Sequence, residues 1–283
     1  MPVQLTLTNH DRASAGMTYV YPVVSRRAGG VSVGVNLNPN NACNWACVYC
    51  QVPELARGTA PDIDLAQLET ELRALLGDIL QGDFMQTRVP EGARRLNDIA
   101  LSGNGEPTSA RVFPQVIECI GRVMADFDLT GKIKLVLITN GSLADRPRVR
   151  DGLQKMATLN GEVWFKFDRA TAGGMRAVNQ TRTTPDRQLE RLELTARLCP
   201  TWLQTCVFAL DDMPPSDAEQ AAYLAAVARI RQRQIPVQGV LLYGLARPSM
   251  QPQAARLSAL PAAWLDEFAA RIRSAGLPVK VSP

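Results

Sequence analysis

The sequence predicts an α/β protein in which strands and helices alternate into an open (β/α)₆ partial barrel, that is, part of a TIM barrel. Two observations carry this reading. Six short runs rich in Val, Ile, Leu and Phe read as parallel strands, which are apolar because both faces are covered. They are Val31–Leu37, Asp98–Ser102, Lys134–Asn140, Glu162–Asp168, Leu203–Leu210 and Val237–Leu245. Six helix-like stretches follow them in turn: Asp64–Leu80, Phe113–Asp126, Arg146–Ala157, Pro185–Leu198, Ser216–Gln234 and Pro261–Ala275. Right-handed crossovers fold such a series into one curled sheet with its helices outside.

Residues 1–30 precede the first unit and hold Tyr19-Val20-Tyr21-Pro22 and Ser25-Arg26-Arg27-Ala28-Gly29-Gly30. They read as a lead-in that packs over one barrel end, and residues 31–283 form the (β/α)₆ domain. The first strand runs into Asn38-Pro39-Asn40-Asn41, which is turn and loop chemistry. The second runs into Gly103-Asn104-Gly105-Glu106-Pro107-Thr108. There two glycines admit close backbone approach, and Thr108 or Ser109 can cap the next helix. The third strand ends at Thr139-Asn140-Gly141-Ser142, where Asn-Gly is also a turn signal. The fourth alternates, with Trp164, Lys166 and Asp168 on one face and Val163, Phe165 and Phe167 on the other. Gln204, Cys206 and Gln238 interrupt the last two strands. Ser216-Asp217-Ala218-Glu219 caps the fifth helix and places acid in its first turn. Gly276 follows the last helix, where a left-handed residue is wanted, and the tail Leu277–Pro283 lies outside the six units.

At 283 residues the chain is long enough for one large barrel-like domain. Apolar residues at 46% and charged residues at 20% fit a soluble globular protein. A net charge of +4 is too small to argue for nucleic acid. No apolar run is long enough for a membrane span. No signal peptide opens the chain, and six cysteines are ordinary for a cytoplasmic protein, so a disulfide framework is not expected.

Three of those cysteines, Cys43, Cys47 and Cys50, have the spacing C-x₃-C-x₂-C, with Tyr49 just before the last. A cuboidal iron–sulfur cluster takes four thiolates, one per iron, and a tetrahedral structural zinc also takes four ligands. This segment supplies three, which leaves one metal corner open to a cofactor. The competing reading is a zinc knuckle completed by His10, the only histidine. It lies far upstream, and no second ligand pair follows.

The cysteine motif resembles that of the radical S-adenosylmethionine (SAM) superfamily, C-x₃-C-x-aromatic-C. The loop Gly103-Asn104-Gly105-Glu106-Pro107 resembles the superfamily's G-G-E-P element, with Asn104 inserted between the glycines. The resemblance implies a 4Fe–4S cluster on Cys43, Cys47 and Cys50 whose fourth iron is chelated by the methionine part of SAM. It also implies a partial TIM barrel core, Tyr49 near the adenine, and Gly103, Gly105, Glu106 and Pro107 at the SAM amino group. The activity implied is reductive cleavage of SAM to a 5′-deoxyadenosyl radical that abstracts hydrogen from a substrate. An external one-electron donor such as flavodoxin or ferredoxin is implied with it.

In (β/α) barrels chemistry collects at the C-terminal ends of strands. By resemblance Asn140 contacts the SAM ribose or carboxylate, although the Asn-Gly turn alone also accounts for it. Lys166 is a candidate for the SAM carboxylate and Asp168 for ribose hydroxyls or substrate; a structural ion pair at the barrel rim is the competing reading. Cys206 is a candidate hydrogen donor or a small buried hydrophobe. Arg247 is a candidate for an anionic substrate group or a solvated loop arginine. Cys119 and Cys199 are assigned packing roles, and no auxiliary cluster is expected.

The motifs are also similar to a bacterial branch loosely grouped with the wyosine synthases, which modify tRNA. This chain lacks the extra tRNA-binding segment and extra cysteines expected there, and its charge is mild for gripping RNA phosphates. A small molecule or a peptide or protein is therefore favoured over tRNA as substrate. The reading from a different class is a non-catalytic metal-binding or regulatory protein on the same barrel.

Overall fold

The computed structural model describes residues 5–6, 16–25 and 29–282; His10, Arg26 and Arg27 lie outside them. Eight strands make one sheet: β1 (Val20–Ser25), β2 (Gly30–Val35), β3 (Leu96–Leu101), β4 (Lys134–Thr139), β5 (Gly161–Lys166), β6 (Thr201–Cys206), β7 (Val237–Tyr243) and β8 (Val279–Ser282). They lie in sequence order across the sheet, and every pairing from β2 to β8 is parallel. The predicted partial barrel is therefore the fold, and β2 to β7 are the six predicted strands.

The two sheet edges differ from the expectation. The lead-in does not simply pack over a barrel end, because its residues Val20–Ser25 pair antiparallel with β2 as an edge strand. Pro22 is tolerated there, since an edge strand can leave one side of its backbone unpaired. Glu71 anchors the strand's start by accepting hydrogen bonds from the Thr18, Tyr19 and Val20 amides. The tail likewise supplies β8, parallel to β7. The first has no helix between it and β2, and the second, although it follows α8, is only four residues long, so periodicity alone does not reveal them.

The helices are α1 (Leu65–Gln81), α2 (Phe84–Arg88), α3 (Phe113–Asp126), α4 (Pro147–Thr158), α5 (Ala172–Asn179), α6 (Pro185–Leu198), α7 (Asp217–Gln232) and α8 (Ala262–Ser274). Their apolar stripes and one face of the sheet form the main core, around Leu72, Ile117, Leu137, Phe165, Val227 and Leu265. Asp64 caps α1, Thr184 caps α6 and Ser216 caps α7 by accepting hydrogen bonds from first-turn amides. No helix among the described residues is long and apolar enough to cross a membrane. The other face of the sheet is more polar and lines a cavity.

Candidate functional site

Alternation along the parallel strands decides what faces that cavity. Ser32 on β2, Asp98 and Ala100 on β3, Ile138 on β4, Trp164 and Lys166 on β5, Gln204 and Cys206 on β6, and Tyr243 on β7 all line it. The loops at the strand ends close it: Cys43–Leu55, Ser102–Glu106, Thr139–Asn140 and Gly244–Arg247 each contribute lining residues. The structure thus brings together Cys43, Cys47, Cys50, Tyr49, Gly103, Gly105, Glu106, Asn140, Lys166, Cys206 and Arg247. Pro107 and Asp168 are not on the cavity wall.

The cysteine loop is held from several sides. A second small apolar cluster packs Trp45, Val48 and Tyr49 against Met175, Val178 and Phe208. The Val48 amide donates to the Val178 carbonyl at 2.9 Å, and Asn179 Nδ2 lies 3.4 Å from Cys47 Sγ. On another side Ser249 Oγ donates to the Val48 carbonyl at 2.7 Å and Gln251 Nε2 to the Val52 carbonyl at 2.7 Å. Asn44 joins the loop to the end of β4, donating to Ser142 Oγ and accepting from Asn140 Nδ2 at 2.8 Å.

Asparagines tie this loop to the Gly103–Pro107 loop. Asn36 Oδ1 accepts from the amides of Asn38 and Asn104, both at 3.0 Å, and Asn104 Nδ2 donates to Asn41 Oδ1 at 2.6 Å. Gly105 sits so close that a Cβ there would meet the Ala42 carbonyl oxygen at 2.1 Å. The two motifs therefore touch through backbone, which only glycine permits at this position.

Glu106 is 2% exposed. Its Oε1 accepts from Thr108 Oγ1 and Thr139 Oγ1 at 2.6 Å each and from the Thr108 amide at 3.2 Å, while Oε2 accepts from the Asn140 amide at 2.7 Å. Burial raises its pKa against the opposing pull of these bonds. A carboxylate has about four lone-pair sites, so most of its capacity is already used and Oε2 has room for one more donor. Asn140 is similarly engaged: its Oδ1 accepts from the Ser142 amide, an Asx turn, and Gly141 beside it has φ +69°. The turn is real, and it also sets Asn140 on the cavity wall.

Lys166 and Asp168 converge on one hydroxyl. Tyr49 OH donates to Asp168 Oδ2 at 2.5 Å, and Lys166 Nζ donates to Tyr49 OH at 2.8 Å. Asp168 accepts further bonds from Asn179 Nδ2 at 2.6 Å and from the Cys206 amide at 2.8 Å. It stands behind Tyr49, buried, and organises the wall from outside the cavity. Burial works against the Lys166 ammonium, but Tyr243 and Asp168 outweigh it and leave its pKa raised. Cys206 is fully buried beside Tyr243, and desolvation followed by the Asp168 charge pushes its thiol up to about 12. Cys119 and Cys199 are buried away from the cavity, in packing positions.

Burial also raises the free thiols of Cys43 to about 12 and Cys47 to about 11. A metal must displace those protons, so ligation here would be proton-coupled. Among the described residues no three His, Cys, Asp or Glu side chains close on a single ion. A mononuclear zinc needs all its ligands around one centre, whereas each thiolate of a cuboidal cluster takes a different iron. Three thiols line one cavity wall, and three thiolates are the donor set that leaves one iron of such a cluster without a protein ligand. Gln204 adds a second sign of an occupant: it is 1% exposed and its Oε1 has no hydrogen-bond partner among the described residues.

Sequence reasoning missed Asn36, Asn38, Asn44, Asn179, Ser249 and Gln251. The recurrence of asparagine from Asn36 to Asn44 is a signal for the first three. Nothing local marks the others, whose partners are remote in sequence.

No family model matches the chain. It is 28% identical over 166 residues to UPF0026 protein slr1464 from Synechocystis, covering 57% of this chain and 52% of that protein. It is 27% identical over 156 residues to UPF0026 protein MJ1312 from Methanocaldococcus jannaschii, covering 52% and 43%. The chain thus spans about half the length of these curated relatives. Among solved structures, a radical SAM methyltransferase from Sphaerobacter thermophilus superposes with a TM-score of 0.57 at 14% identity, over 89% of this chain and 66% of that one. HydG, a maturase of the [FeFe]-hydrogenase, gives 0.54 at 9% identity over 88% and 50%. Spore photoproduct lyase gives 0.52 at 10% over 85% and 74%.

Proposed function

We propose that this chain, whose fold is that of the radical SAM enzymes, is itself a radical SAM enzyme acting on a small molecule, peptide or protein. The observation that supports this most directly is the meeting of three thiols and the Gly103–Glu106 loop on one cavity wall at the C-terminal ends of the strands. Cys43, Cys47 and Cys50 would hold a 4Fe–4S cluster, and SAM would occupy the cavity beside it. Together these cofactors supply a one-electron cleavage of the SAM sulfonium bond and a carbon radical that abstracts hydrogen from substrate.

The chain's own residues have separable tasks. Gly103 and Gly105 pack the loop closely against Asn36 and Ala42, where its backbone would meet the amino acid end of SAM. Glu106 holds that loop to Thr139 and Asn140 and offers the remaining Oε2 site to an ammonium. Lys166, fixed by Tyr49, places a cation on the wall for a carboxylate. Asp168 orients Tyr49, and Asn179 donates to Cys47 Sγ, the kind of hydrogen bond that orients and tunes a metal ligand. The small apolar cluster around Trp45, Tyr49 and Phe208 keeps water from one side of the cysteine loop. Cys206 and Arg247 face the remaining space, as a candidate hydrogen donor and a candidate anion contact.

The test is Cys47→Ala. Iron and sulfide reconstitution should yield no four-iron cluster in this variant, and SAM should stay intact under dithionite. A variant that still forms the cluster and cleaves SAM would overturn the ligand assignment.

A further inference from the structure

A shallow hollow on the outer surface is lined by Arg176, Gln180, Thr181 and Arg182, at the C-terminal end of α5. Both arginines are exposed, and neither has an ion pair or hydrogen bond among the described residues. Arg187, nearby in sequence, is by contrast neutralised by Asp145 and Glu190. Arg57 adds a third guanidinium at this edge. Its Nη2 donates to the Gln180 carbonyl at 2.5 Å and its Nη1 to the Asn44 carbonyl at 2.8 Å.

The hollow lies directly behind the cysteine loop. Gln180 follows Asn179, whose side chain reaches Cys47 Sγ at 3.4 Å. Arg57 is the bridge partner of Cys43. Two of the three thiols are therefore linked, through one or two residues, to a surface of uncompensated positive charge. Such a surface attracts an acidic partner at a rate that falls with salt. Gripping RNA takes many more phosphate contacts than three arginines supply, and nothing in RNA binding would call for a route to Cys47.

We propose that this hollow docks an acidic one-electron carrier protein and is the face through which the cluster is reduced. The inference rests on the function proposed above and identifies a partner for that site. The step is balanced simply: the carrier loses one electron, the cluster gains it, and no bond or proton moves.

The test compares wild type with R176E/R182E, using reduced acidic flavodoxin as the probe. After reconstitution, oxidation of the flavodoxin should be about tenfold slower in the variant and lose most of its salt dependence, while bleaching of the cluster by dithionite should be unchanged. Calorimetric titration of flavodoxin into the apo-protein should show binding to wild type that weakens from low to high salt and is lost in the variant. Equal flavodoxin rates and affinities in the two proteins would overturn the inference. So would an oligoribonucleotide that binds wild type more tightly than flavodoxin does and is released by the same substitutions. If wild type assembled no cluster, the function proposed above would fail, and the titration would still decide whether the hollow docks the carrier. R176Q/R182Q, which removes charge without reversing it, should give intermediate rates; a variant slowed equally with dithionite would contradict the docking role.

Discussion

Gln204 buries a carbonyl oxygen that nothing among the described residues satisfies. Such an atom costs about 1–3 kcal/mol, so Gln204→Leu should stabilise the apo-protein by up to that amount in urea unfolding. A destabilised variant would mean the amide is satisfied after all. Glu106 permits a pH argument. Burial raises its folded-state pKa, so the folded protein holds the proton more tightly than the unfolded chain. Its contribution is fully present below the ordinary carboxyl value of about 4.3 and is lost as pH rises through the raised value. The stability of wild type relative to Glu106→Gln should therefore decline with rising pH in that window, and a flat difference would contradict it. At this scale the sequence reveals the cysteines, the glycines and Glu106, because each sits in a compact local pattern. Their bonding partners are hidden, since Thr139 and Asn140 lie more than thirty residues from Glu106 and belong to another strand.

The junction between the cysteine loop and the Gly103–Pro107 loop is backbone against backbone. Gly105→Ala would force a Cβ onto the Ala42 carbonyl, separating the two loops. SAM binding to the reconstituted protein should weaken at least about tenfold, or ~1.4 kcal/mol, with iron content retained. Unchanged SAM affinity would show that the contact has no bearing on the cofactor. Asn36→Ala strips the acceptor from two amides, those of Asn38 and Asn104, and should lower stability by about 1–3 kcal/mol, read as a shift in urea midpoint. Most helices are legible because their apolar stripes recur at helical spacing. Helix α5 is not, because Gly173-Gly174 lowers its intrinsic helix propensity. It forms because Thr171 caps it and Gly174 admits Glu219, where a Cβ would lie 2.3 Å from Oε2. That unannounced helix carries Asn179 to Cys47.

Across the whole molecule, six strand–helix units were enough to specify an open parallel barrel, since right-handed crossovers leave little topological choice. The edge strands β1 and β8 are illegible for different reasons: β1 pairs antiparallel with β2 and needs no helix, and β8, reached through α8, is only four residues long and shows little periodicity. The resulting cavity opens where the strands end, and the residues of both motifs collect there although they are sixty positions apart in the chain. The measurement that tests the account most directly is anaerobic reconstitution of wild type with iron and sulfide, followed by dithionite, SAM and assay for 5′-deoxyadenosine. The account predicts about four irons per chain and 5′-deoxyadenosine formed in proportion to cluster. Zinc retained in place of iron, or a full cluster beside which SAM stays intact even with cell extract added, would contradict it.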